Sequence, residues 1–113
     1  METVAAQIAD AAAHCPEFAF QRNTIYLRFC HRAYHKGSAL AELSRLEKIA
    51  REDVFAVGDH FNDISMLNGE HAALTACPAN AIREVKDTVR GAGGYLAHQE
   101  DGYGLVEALR RFL

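Results

Sequence analysis

No charge of one sign dominates this sequence. Twelve lysines and arginines stand against fifteen aspartates and glutamates, for a net charge of -3 and a pI of about 6.0. The basic footprint of a nucleic-acid binder is therefore missing. A phosphorylated small molecule stays admissible, because one well-placed lysine outweighs a mild global negative charge. Long apolar runs are missing too, and none approaches the roughly 20 residues of a membrane-spanning helix. Met1 to Ala13 carries Glu2 and Asp10 without a basic segment, which argues against a secretory signal. The cysteines Cys15, Cys30 and Cys77 are odd in number, widely spaced and form no Cys-x-x-Cys. They read as free buried thiols in a reducing compartment, with the cytoplasm as the expected location. Internal repeats, low-complexity tracts and a Pro/Ser linker are absent. The 113 residues, half of them apolar, suffice for one small domain with a real core.

The most informative stretch is Val54-Phe55-Ala56-Val57-Gly58-Asp59-His60-Phe61-Asn62-Asp63. Four apolar residues between Asp53 and Gly58 predict a strand buried on both faces. Asp59 follows at its carboxyl end, where open parallel sheets bind ligands. Asn62 and Asp63 then open a short helix over Ile64 to Leu67. Two carboxylates and an amide at a strand tip suit a hard cation such as magnesium, although Asp and Asn are also ordinary turn residues.

Around that stretch the chain divides in character. Thr3 to Ala13 predicts an amphipathic helix stopped by Pro16. Glu17–Gln21 and Thr24–Cys30 predict a hairpin turning at Arg22-Asn23. Beyond Tyr34, strands and helices alternate, so an architectural boundary is placed there. Ser38 to Ala50 predicts a helix with Leu40, Leu43, Leu46 and Ile49 or Ala50 on its inner face. A strand over Ala72 to Ala76 follows, then a helix over Ala81 to Arg90 capped by Asn80 and ended by Gly91. A short strand over Gly94 to Ala97 and a helix from Gly104 to Leu113 close the chain. The alternation predicts an α/β class with a parallel sheet.

Lys36 is a further candidate for chemistry, because beside Gly37 it enters a helix whose free N–H groups favour anions. His31 and His35 lie four apart but, with Cys30, make a poor zinc set and read as structural. His60 could touch a substrate, though exposure is the simpler account. Tyr95, Tyr103 and the phenylalanines read as core.

Lys36-Gly37 before a helix, then Gly58-Asp59-x-x-Asn62-Asp63, Met66-Leu67, Asn80-Ala81 and Glu100-Asp101-Gly102-Tyr103-Gly104 together resemble the C-terminal half of the haloacid dehalogenase-like hydrolases. The closest likeness is to the Cof-like and sucrose-phosphatase-like subgroup, which carries a late α/β cap. The resemblance implies a partial Rossmann-like sheet over residues 34–113, preceded by an α-β-β remnant of the cap over 1–33. It implies hydrolysis of a small phosphorylated metabolite, such as a sugar phosphate, with Mg²⁺ as cofactor. Lys36 would neutralise charge on the phosphoryl group and hold the nucleophile. Asn62 would bind the phosphate, and Asp59 would ligate the metal. Asp63 would join the metal site from outside, orienting Lys36 or a metal-bound water.

One motif of that family is missing. Its nucleophile is the first aspartate of an Asp-x-Asp pair, and the aspartates here stand at 10, 53, 59, 63, 87 and 101, no two of them separated by one residue. The Ser/Thr phosphate motif that should precede the cap is missing as well. The expectation is a C-terminal piece inactive by itself, apt to self-associate or to pair with a missing N-terminal half. A non-catalytic interaction module and a phosphomutase on the same scaffold are the alternative readings.

Overall fold

The computed structural model describes residues 2–23 and 26–113. Helix α1 (Glu2–Ala12) is followed by an antiparallel hairpin, β1 (Phe18–Asn23) and β2 (Tyr26–His31). The expected turn at Arg22-Asn23 is displaced. Both residues belong to β1, paired with Leu27 and Tyr26, because each added pair extends the ladder of backbone hydrogen bonds. The connection, residues 24 and 25, falls outside the described residues. Arg32 fastens the hairpin's base, donating from Nε to the Pro16 carbonyl at 2.7 Å and from Nη2 to the Phe18 carbonyl at 3.1 Å.

The remainder is a layered α/β unit. Helix α2 (Lys36–Glu47) precedes β3 (Phe55–Val57), α3 (Ile64–Leu67) and β4 (Leu74–Cys77). Then come α4 (Arg83–Gly91), β5 (Tyr95–Leu96) and α5 (Asp101–Phe112). The three strands form one parallel sheet in the order β3-β4-β5, as the alternation predicts. Period-2 geometry sends Val54 and Ala56 to one face, into a cluster with Leu67, Ala72, Ala81, Val85 and Val89. Phe55 points the other way and meets the Phe112 ring of α5 at 5.7 Å between centroids. β3 is thus less enclosed than its composition suggests. It is an edge strand among the described residues, and Phe55 and Val57 are half-buried.

Five further expectations are corrected. Leu40 packs against the core, but Leu43 and Leu46 on α2, and Ile49 beyond its end at Glu47, are 56%, 60% and 45% exposed. Spacing by three turns a stripe about 60° per step around a helix, so it leaves the face that meets α3. Asn80 does not cap α4, which starts at Arg83 with Ile82 as a residue lacking a side-chain cap. Asn80 instead donates from Nδ2 to Asp101 Oδ1 at 2.7 Å and accepts from the Asp101 N–H at 3.0 Å. That exchange ties the loop after β4 to the start of α5, which begins at Asp101 and not at Gly104. Phe18, Phe29 and Tyr103 are exposed and lie outside the core. Of the cysteines only Cys77 is buried; Cys30 is half-buried and Cys15 exposed. Burial pushes the Cys77 thiol up, against the pull of Lys86 and Arg90. No described helix is long and apolar enough to cross a membrane.

One carboxylate organises the sheet's far end. Glu107 on α5 accepts from the Tyr95 hydroxyl at 2.7 Å and from the backbone N–H groups of His98 and Gln99 at 2.9 and 3.0 Å. These bonds favour the charged form and, the Tyr95 hydroxyl foremost, hold the carboxyl down to about 2. Because the folded value lies below the ordinary 4.5, its stabilisation is complete above about pH 4.5 and disappears as pH falls through about 2. Acid titration followed by circular dichroism should therefore show a component in that window that is missing in Glu107→Gln.

Candidate active site

The site is built at the carboxyl end of β3 and the amino end of α2. His35 caps α2: its Nδ1 accepts from the Ser38 N–H at 3.1 Å, and its own N–H donates to Ser38 Oγ at 2.9 Å. This reciprocal capping fixes the first turn and so the direction in which Lys36 leaves it. The Gly37 N–H donates to Ser65 Oγ at 2.9 Å, and a Cβ on Gly37 would stand 2.3 Å from the Ser65 carbonyl oxygen. Only glycine lets α2 approach α3 this closely. Lys36 Nζ consequently reaches Asp63 Oδ1 at 2.5 Å, across 27 residues of sequence.

Asp63 is buried, with 4% of its surface exposed. Its second oxygen, Oδ2, accepts from the N–H groups of Asp59 and His60 at 2.9 and 3.1 Å. Burial opposes its charge, yet Lys36 and these two donors outweigh that penalty and hold the carboxyl below its ordinary range. Asp63 therefore works as a junction. One oxygen takes the lysine, and the other takes the turn that presents Asp59. Asp59 itself is exposed at the strand tip, and its carbonyl accepts from the Ile82 N–H at 3.1 Å, joining the loop to α4.

Asn62 is half-buried and, with Lys36, Cys30, Tyr34, His35 and Glu42, bounds a cleft of about 520 Å³ between α2 and the hairpin. Lys36, Asp59 and Asp63 are thus linked through one carboxylate, and Asn62 shares a cleft with Lys36. His60 is half-buried, and its Nδ1 accepts from the Phe61 N–H at 3.0 Å as the cap of the turn Phe61–Asp63. His31 Nδ1 similarly accepts from the Ala33 N–H at 3.1 Å. With Nδ1 of His35 also taken, these histidines serve local structure. Ser65 and the capping role of His35 were missed from sequence. Ser65 belongs to no motif, and its only hint is the glycine at 37 that must pack against something.

The exposed carboxylate of Asp59 fits a magnesium ion, which binds through one or two carboxylates and keeps several waters. Among the described residues no group of three or more His, Cys, Asp and Glu side chains converges.

Comparison with known proteins places this geometry in a family. A profile of the haloacid dehalogenase-like hydrolases matches residues 2–103. A phosphoglycolate phosphatase of Methanothermobacter thermautotrophicus is 40% identical over 82 residues, which is 70% of this chain and 33% of that protein. A phosphoglycolate phosphatase of Methanosarcina acetivorans is 35% identical over 75 residues, 66% of this chain and 30% of that protein. The chain thus spans about a third of the length of such relatives. Its fold matches a solved subclass IIB sugar phosphatase of the superfamily with a TM-score of 0.80 at 24% identity, covering 95% of this chain and 39% of that one. A haloacid dehalogenase-like hydrolase of Bacillus subtilis matches with a TM-score of 0.79 at 24% identity, covering 100% and 38%. Profile, relatives and fold agree with the motifs at Lys36-Gly37 and Gly58 to Asp63, and the chain belongs to the haloacid dehalogenase-like hydrolases.

Proposed function

We propose that this chain supplies the lysine and metal-carboxylate portion of a Mg²⁺-dependent phosphatase acting on a small phosphorylated metabolite. The observation that carries the reading is the single carboxylate of Asp63, which binds Lys36 through one oxygen and the Asp59 turn through the other. In this reading Lys36 faces a phosphoryl oxygen and offsets its charge. The Asn62 amide donates to the same group. Asp59 would hold the metal directly, and Asp63 would keep Lys36 oriented beside it. When bound, magnesium would supply charge neutralisation at the phosphoryl oxygens.

Residues 1–33 form the cap remnant and 34–113 the core portion in this reading. A cleft of about 520 Å³ leaves room for the organic part of a compact phosphate ester, and proteins similar to this chain are named as phosphoglycolate and sugar phosphatases. The nucleophile comes from elsewhere, since no Asp-x-Asp pair is present. Free thiols suit a reducing compartment such as the cytoplasm.

The test is a titration of the ¹⁵N-labelled chain. Mg²⁺ should shift the amides around Asp59 in the wild type and leave Asp59→Asn unaffected. Inorganic phosphate should shift Lys36 and Asn62, and a generic aryl phosphate should not be hydrolysed. Absence of both shifts would overturn the site, and Asp59-dependent turnover would overturn the missing nucleophile.

A further inference from the structure

We propose that Asn80 and Asp101 form a latch that aims the Asp59 carboxylate, acting through the Ile82 N–H. Both are positioning residues, and the inference rests on the reading of Asp59 as the metal ligand. The peptide group between Asp59 and His60 is held at both edges. Its N–H donates to Asp63 Oδ2 at 3.1 Å, and its carbonyl accepts from the Ile82 N–H at 3.1 Å. The Asp59 N–H also donates to Asp63 Oδ2. The backbone is thus fixed on either side of the Asp59 Cα, and with it the direction in which the side chain leaves. Asp63 is anchored by Lys36. Ile82 opens α4 without a side-chain cap, so the setting of its N–H depends on the loop from Pro78 that leads to it.

That loop is fastened to the first turn of α5. Asn80 Nδ2 donates to Asp101 Oδ1 at 2.7 Å, and the Asp101 N–H donates to Asn80 Oδ1 at 3.0 Å. The Ala79 N–H donates to the Gln99 carbonyl at 2.9 Å. A Cβ on Gly104 would stand 2.5 Å from the Gln99 carbonyl oxygen and 2.8 Å from Pro78 Cβ, so α5 lies directly on the loop. Asp101 has a φ of 52°, a left-handed conformation that glycine adopts freely and aspartate only at some cost. The glycine stands instead at 102, where φ is not positive and a Cβ would meet nothing within 4 Å. A strained residue kept where glycine would relax it points to a side chain that is needed, and the partner of this side chain is Asn80. Both residues are exposed, so their two bonds add little to global stability. What they control is the position of the loop.

Amide hydrogen exchange of the metal-free ¹⁵N-labelled chain tests the latch. Asn80→Ala should speed exchange of the Ile82 N–H about tenfold and move the Asp59 and His60 amide signals. Glu107→Gln, which loosens the same helix further along, should leave all three at their wild-type values. Asp101→Gly relieves the positive φ but removes the acceptor, so the Ile82 N–H should exchange faster while the denaturation midpoint does not fall. A purely structural role would move the two together. Asn80→Asp sets two carboxylates face to face and should loosen the loop. Adding Asp101→Asn puts a donor opposite an acceptor again and should restore wild-type exchange. In a Mg²⁺ titration, Asn80→Ala should raise the dissociation constant read at the Asp59 amide about tenfold. Unchanged exchange at Ile82 in Asn80→Ala, equal acceleration in Glu107→Gln, or a double substitution that restores nothing would overturn the latch. Faster exchange with unaltered Mg²⁺ affinity would overturn the aiming of Asp59. A wild type indifferent to Mg²⁺ would overturn the metal reading of Asp59, and the metal-free exchange would still decide the latch.

Discussion

Gly58→Ala is expected to cost about 3 kcal/mol or more and to displace the Asp63 carboxylate. A Cβ at position 58 would lie 2.4 Å from Asp63 Cβ, 2.6 Å from its Cγ and 2.7 Å from Oδ2. None of these atoms can retreat freely. The Asp63 side chain is held at one oxygen by Lys36 and at the other by the Asp59 and His60 N–H groups. The glycine is held in turn, since its own N–H donates to the Ala76 carbonyl at the β3–β4 tip. One of two things must give: the sheet opens at its carboxyl end, or Asp63 releases Lys36. Gly91→Ala provides the contrast, because a Cβ there meets nothing within 4 Å and φ is not positive. That change should be neutral, or stabilising by up to about 1 kcal/mol. Urea denaturation of both variants separates them, and equal midpoints would refute the steric argument. The effect on Gly58→Ala should extend to the Mg²⁺ response at Asp59, since the same carboxylate holds that turn.

The legible parts of this fold are those in which a short stretch of sequence meets one environment. Val54 to Val57 followed by Gly58 reads as a strand tip because a continuous apolar run and the turn that ends it are both local. The parallel order follows from strand–helix alternation for the same reason. Properties that depend on a distant partner were harder to see. Lys36 and Asp63 are 27 residues apart, and no periodicity links them; only the likeness to a family brought them together. The fourfold use of Glu107 by Tyr95, His98 and Gln99 was invisible, because a glutamate on an amphipathic helix looks solvated until a loop folds over it. Asn80 carried a genuine capping signal, but Asp101 competes for it and wins by exchanging two hydrogen bonds where a cap would make one. Leu43 and Leu46 were read as core because hydrophobicity marks what a helix could bury, not which neighbour is present to bury it.

Asp63→Asn is expected to have the other large effect, about 2–4 kcal/mol of lost stability together with loss of any phosphate response at Lys36. The substitution keeps shape and volume, so packing contributes little. An amide oxygen could still accept from the Asp59 and His60 N–H groups, but the amide nitrogen would then face the Lys36 ammonium with donors on both sides. Turned around, the amide satisfies Lys36 and sets its N–H₂ group against two backbone donors. No orientation serves all three partners, whereas the carboxylate, an acceptor at both oxygens, does. Because Lys36 is half-exposed, water recovers part of its loss, and the cost falls short of that for a fully buried pair. Asp63→Glu should not rescue, since the extra methylene has no room behind Gly58. Acid should reproduce part of the defect in the wild type: the Asp63 carboxyl lies below its ordinary 3.8, so its contribution is complete above that pH and is lost as pH falls through the folded value. Asp63→Asn should lack this component. Denaturation midpoints of wild type and variant that converge on acidification would agree with the junction role. Midpoints separated by a constant amount at every pH would instead mean that Asp63 acts through its shape and not its charge.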